Sequence, residues 1–205
     1  MPMSEVPGLR ERKKTAAMLR IQAAALDLFE EHGFTAVTVE QVAAASDVSP
    51  SSVYRYFGTK EQLVLWDEFD PQMDHLLGPA LDVPVPLDGL RALFREVLEG
   101  MGPDAERQVA RRIRIAMSDP ALVAATAMHT YAITEVFGTY MAERLGRSHD
   151  DLEIQVFSHS LVGGLLGAIH HWHGTGFAEP FADVLDRTFV IFTEGLDVVE
   201  GRPAD

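Results

Sequence analysis

The sequence predicts an all-α protein of about nine helices, with a small three-helix head of helix-turn-helix layout followed by a larger helical body. Three observations carry that prediction. Apolar residues recur at spacings of three and four along the chain, and no run alternates as a half-buried strand would. Three helix-start signals crowd into Thr38–Leu63. The rest of the 205 residues is divided by Pro and Gly into further helical stretches.

Residues 1–11 read as a disordered arm. The first helix is expected from about Lys13 to His32, with Ala17, Ile21, Ala24, Ala25 and Leu28 on one face and Gly33 as its cap. Thr38 can N-cap the second helix, and Gln41 three residues on completes a capping box. Ser46-Asp47 breaks that helix. Ser49 followed by Pro50 opens the third, since Ser caps and Pro needs no N–H at the first helical position. Val53 and Phe57 should face inward there, which leaves Ser51, Ser52, Tyr54, Arg55 and Tyr56 for the outer faces. Thr59 and Gln62 repeat the capping-box spacing and open a fourth helix, which Pro71 should end near Asp70. The Gly- and Pro-rich segment 78–86 reads as a loop. Five body helices follow, over Leu87–Met101, Asp104–Met117, Pro120–Leu145 and Leu152–His173, with the last opened by Pro180 and carrying Leu185, Phe189, Phe192 and Leu196 on one face. The expected domains are a head over 12–70 and a body over 71–205.

The outward set on the third helix has the chemistry of a DNA reader. Ser and Tyr hydroxyls, Thr38, and Lys60 at a helix start can hold phosphates, and Arg55 can reach a guanine edge. A net charge of −14 opposes a nucleic-acid partner at first sight, but its distribution does not. Residues 1–60 hold seven Lys/Arg against seven Asp/Glu, and residues 61–205 hold ten against twenty-four. The acidity lies in the body, while Arg10, Arg12, Lys13, Lys14 and Arg20 cluster where an arm would track phosphates.

Several classes are disfavoured. With no Cys there is no disulfide framework and no thiolate metal site. The start lacks the basic-then-apolar pattern of a signal peptide. The longest apolar run, Leu161–Ile169, is short for a bilayer span, so a soluble cytoplasmic protein without a membrane partner is expected. Neither a Gly-x-Ser-x-Gly elbow nor a His-Glu-x-x-His pair occurs, which argues against an enzyme, and no cofactor is implied. His170 and His173, three residues apart, could share a metal on spacing alone, but two ligands do not close a site, and His159 lies about 16 Å from His170 along a helix.

Residues 12–66 resemble the N-terminal domain of TetR-family regulators. The resemblance rests on Ala25-Leu-Asp-Leu-Phe-Glu-Glu-His-Gly-Phe34, Thr38-Val39, Val42-Ala43, Val48-Ser49 and, most specifically, the run Tyr54-Arg-Tyr-Phe57 with Lys60-Glu-Gln-Leu63. Asp47 departs from the usual Gly. The resemblance implies a ligand-responsive DNA-binding regulator that pairs through its last two helices and reads a palindromic operator in double-stranded DNA. Three looser features resemble a mainly actinobacterial branch with an acyl-CoA-like ligand-binding C-terminal domain, which includes regulators near mycofactocin genes. They are Trp66-Asp-Glu-Phe-Asp-Pro-Gln72, an Arg-rich helix ending before Asp119-Pro-Ala-Leu122, and Trp172. That resemblance implies a small apolar or acyl-CoA-like effector. Bulky residues Met101, Ile113, Met117, Met128, Tyr131, Phe137 and Trp172 are candidates to line its cavity, and Arg111 to meet a phosphate at the mouth.

Overall fold

The computed structural model describes residues 9–67 and 70–195, and these contain ten helices and no strand. In chain order they are α1 (Leu9–His32), α2 (Val39–Ala45), α3 (Pro50–Phe57), α4 (Gln62–Leu65) and α5 (Asp70–Leu81), then α6 (Pro86–Gly100), α7 (Pro103–Ala116), α8 (Pro120–Leu145), α9 (Leu152–Gly174) and α10 (Phe181–Glu194). They fall into two compact units, one of residues up to 71 with 114–126, the other of 72–113 with 127 onward.

The first unit closes around Ile21, Ala25, Leu26 and Phe29 of α1, Val42 and Ala43 of α2, Val53 and Phe57 of α3, and Leu63 and Val64 of α4. Ile115 and Ala116 at the end of α7 and Leu122 at the start of α8 join the same core. The capping box forms: the Thr38 N–H donates to Gln41 Oε1 (2.7 Å) and the Gln41 N–H to Thr38 Oγ1 (3.3 Å). Between α2 and α3 the chain turns at Asp47, whose φ of 54° is left-handed. The Val48 N–H reaches back to Ala43 O (3.0 Å), so the turn needs that conformation, which Asp adopts less readily than Gly.

The second unit has two apolar centres. Leu81, Leu90, Phe137, Met141, Ile154, Leu161 and Phe189 form one. Ala110, Ala168, Trp172, Val184 and Leu185 form the other. Trp172 anchors the latter: its Nε1–H donates to Glu179 O (2.7 Å), and its ring meets Phe177 and Phe181 at 4.8 and 4.7 Å. Asp186 on α10 pairs with Arg91 (3.1 Å) and Arg95 of α6. Burial opposes the Asp186 charge, and the two guanidiniums outweigh it, holding the carboxyl below its usual value.

Four expectations are corrected. Residues 1–8 of the expected arm lie outside the described residues, but 9–11 are helical and begin α1. The single fourth helix is two: Trp66 turns extended (ψ 133°), its carbonyl accepts from Gln22 Nε2 (2.8 Å), and Pro71 sits in the first turn of a new helix, where its missing N–H costs nothing. The loop at 78–86 shrinks because α5 carries on through Pro79 to Leu81. Finally, α9 is 23 residues long and its most apolar stretch has a mean hydropathy of 1.3, enough to cross a membrane by length and composition alone, a test that a core helix also passes. Its glycines do not interrupt it, so the apolar run alone underestimated it. Of the last helix, Leu196 lies outside the described residues.

Candidate functional site

In the first unit, α3 is built to present a polar face. Ser49 Oγ accepts from the Ser52 N–H (3.2 Å), Pro50 occupies the first turn, and Gly58 ends the helix at φ 74° with its N–H donating to Tyr54 O (2.8 Å). Val53 and Phe57 are buried, which fixes the rotation of the helix. Tyr54, 50% exposed, and the exposed Arg55 and Ser51 then point outward. Ser52 and Tyr56 are half-buried. The Arg55 guanidinium lies 4.9 Å from the Tyr56 ring and within 3.4 Å of Ser52 Oγ, so the cation is pre-positioned along the helix. Thr38 is exposed at the cap of α2. Six of the seven residues expected to touch DNA thus belong to the cap of α2 or to α3.

Lys60 is the exception. Its Nζ donates to Phe34 O (2.5 Å) and lies 4.2 Å from the Phe34 ring and 5.8 Å from that of Phe29. Burial lowers its pKa, against the pull of Glu61 and Asp119. Its ammonium therefore closes the turn after α1 and is not presented as a phosphate ligand. Asp119, at the start of α8, completes this corner. Asp119 Oδ2 accepts from Thr35 Oγ1 (2.8 Å) and Oδ1 from the Ala121 N–H (2.8 Å), and these bonds, the Thr35 one foremost, hold its carboxyl below the usual range.

The residues expected to line an effector cavity are not gathered in one place. Phe137 is buried in the first apolar centre of the second unit, and Trp172 and Ile113 belong to the other. Met101 is half-buried just past α6, Arg111 is half-buried on α7, and Met117 lies in the segment that joins the first unit. Met128 and Tyr131 are 69% and 55% exposed. The reason is the course of α8. One stripe runs along it at spacings of three and four: Thr134, Phe137, Gly138 and Met141 are buried, and Ala127 and Tyr131 toward the N-terminus continue it uncovered.

An open groove of about 500 Å³ lies elsewhere in this unit, walled by Leu87, Leu152, Val156, Phe157, Leu161 and Phe192, with Glu153 and Ser160 as its polar members. None of the expected lining residues contributes. The sequence signal that would have found it is the apolar first half of α9.

Among the described residues no group of three or more His or acidic side chains is placed to hold a metal ion. Within α9, His173 packs edge-on against Phe177 (ring centroids 5.7 Å apart) and His171 lies 3.5 Å from Glu179.

Comparison with known proteins agrees with this architecture. The model of bacterial regulatory proteins of the tetR family matches residues 21–65, and that of the MftR C-terminal domain matches 85–197, more than half of the chain. The mycofactocin biosynthesis transcriptional regulator MftR of Mycobacterium tuberculosis is 26% identical over 189 residues, covering 91% of this chain and 94% of that protein. A second M. tuberculosis protein, the HTH-type transcriptional repressor Rv3405c, is 39% identical over 108 residues, or 48% of this chain and 57% of its own. Among solved structures, Thermus thermophilus FadR in complex with lauroyl-CoA shares the fold, with a TM-score of 0.54 at 22% identity over 92% of this chain and 99% of its own. The relatives are named as transcriptional regulators, not enzymes, and homodimers that bind DNA and small molecules are typical of the family. The chain belongs to the TetR family of bacterial regulatory proteins, and is a DNA-binding transcriptional repressor with a C-terminal domain of the MftR type.

Proposed function

We propose that this repressor reads a palindromic operator through α3 and is released from it by an apolar, acyl-CoA-like effector bound in the second unit. The DNA-reading part rests on one observation: burial of Val53 and Phe57 turns Tyr54, Arg55 and Ser51 outward together on a helix capped at both ends. Ser51, Ser52 and Tyr56 would position the helix on phosphates, with Thr38 beside them, while Arg55 and Tyr54 would meet base edges in the major groove. Lys60 has no part in that set.

Two copies would pair through α9 and α10, placing two reading helices about one DNA turn, roughly 34 Å, apart. A protein that reads DNA in this way works in the cytoplasm. The effector part is supported by the uncovered stretch of the α8 stripe, Ala127 and Tyr131 with Met128 beside them, which an acyl chain would cover. The lauroyl-CoA bound to the T. thermophilus structure is a ligand of that chemistry. Binding would act by favouring a head spacing that no longer fits successive major grooves.

The test uses operator selected from random duplexes, and measures melting temperature and operator release against acyl-CoAs of rising chain length. The expected outcome is stabilisation and release that both grow with chain length. Operator binding that is indifferent to every acyl-CoA would discard the effector and leave the DNA reader standing.

A further inference from the structure

The exposed face of α9 carries histidines that neither DNA reading nor effector binding uses. Val156, His159, Ser160, Gly163, Gly167 and His170 are all exposed and share one face by their helical spacing. A Cβ added at Gly163 or Gly167 would meet nothing within 4 Å, so another backbone can come close there. Over its most apolar window only 28% of α9 is buried. A second copy of the chain is the cover that the homodimer reading supplies, and the present inference rests on that reading.

A two-fold pair that crossed where the exposed side chains are smallest would do so between Gly163 and Gly167. His159 and His170 lie on either side of that point, about 9 and 8 Å along the axis. In an antiparallel pair each His159 therefore faces the partner subunit's His170, and this happens twice. On a single helix the two are about 16 Å apart and cannot share an ion. Only the second copy brings them together.

The imidazole of His159 is already set for coordination. Its Nδ1 lies 3.0 Å from Gln155 O, and because a carbonyl only accepts, Nδ1–H is the donor, which in the neutral ring leaves the Nε2 lone pair free. A ring nitrogen donating to a backbone carbonyl while the other faces outward is the usual arrangement of a metal-binding histidine. With His173 turned onto Phe177 and His171 beside Glu179, His170 is the member of its cluster left on the stripe.

We propose that pairing of α9 with its copy builds two equivalent intersubunit sites for a divalent transition-metal ion, open rather than closed, each with two protein ligands, His159 of one protomer and the partner subunit's His170, and with water in the remaining positions. Imidazole ligands suit zinc, nickel and copper. Metal binds the paired form alone, so it tightens the dimer and with it the grip on a two-half-site operator.

The test is sedimentation equilibrium of the full chain in EDTA and in Zn²⁺, with zinc stoichiometry by titration calorimetry. Wild type, His159→Ala, His170→Ala and Gly163→Leu are compared. Zinc should lower the wild-type dimer dissociation constant at least tenfold with one ion bound per chain. Each histidine variant should keep the EDTA dimer and lose the zinc effect. A zinc shift retained in both histidine variants, or no shift in a wild-type dimer that Gly163→Leu weakens, overturns the metal site. A Gly163→Leu protein that dimerises like wild type in EDTA overturns instead the α9 pairing beneath it.

Discussion

Gly164→Ala should destabilise the second unit although alanine is the better helix former. An added methyl at Gly164 would drive into the end of the Phe192 ring, colliding with Cζ and standing 2.9 Å from Cε1 and 3.2 Å from Cε2. Two effects compete. Replacing Gly by Ala inside a helix gains about 1 kcal/mol. Forcing a carbon into a packed contact costs roughly 1–3 kcal/mol. Phe192 packs on the first apolar centre with its ring 6.1 Å from that of Phe189, and retreating into the open groove that it walls would cost it those contacts. The collision should win by about 1 kcal/mol, the middle of that range less the helix gain. For a chain of this size that lowers the melting temperature by roughly 2–4 °C. The assay is urea and thermal unfolding by circular dichroism at fixed protein concentration, within a double-mutant cycle with Phe192→Leu. The shorter side chain removes the collision, so Gly164→Ala should turn neutral or stabilising in that background, with a coupling above about 0.5 kcal/mol. A strictly additive cycle, or a Gly164→Ala protein that melts higher than wild type, would refute the reasoning.

Three further outcomes are expected. Arg55→Ala should leave the melting curve unchanged and lower specific operator affinity by roughly 5- to 150-fold, the range for a lost base contact. Tyr54→Ala should weaken binding too, and retention of specific binding by both variants in a gel-shift assay would remove α3 from the reading role. Asp119 gives a pH dependence. Its folded carboxyl titrates below the usual 3.8, so its contribution is present above that value and is lost as the pH falls through the lower folded value. The difference in urea midpoint between wild type and Asp119→Ala should hold steady from neutral pH to about 5 and shrink below about 4. A difference that grows on acidification would contradict the assigned direction.

The start and stop of α2 and α3 were legible in the sequence because capping is local. Thr38 with Gln41, and Ser49 with Pro50, satisfy backbone groups within one turn, and Val53 and Phe57 state the inward face without reference to the rest of the chain. The bounds of α8 and α9 were legible for the same reason, from Pro120, Gly146 and the residues around Gly174. The fourth helix was misread because its break is not local. Trp66 leaves helical geometry while its carbonyl accepts from Gln22, forty-four residues away. The cavity residues were misread because size and apolarity do not say what stands opposite. Phe137 and Tyr131 lie on one stripe of α8, and only the length over which that stripe is covered separates a buried ring from an exposed one. The sequence by itself determined most of the helix starts, the outward face of α3 and the family. The tertiary structure alone decided that Lys60 turns inward to Phe34, that Ile115, Ala116 and Leu122 complete the core of the first unit, and that α9 leaves two histidines on an open face. Each of these depends on a contact between distant segments, which no local spacing encodes.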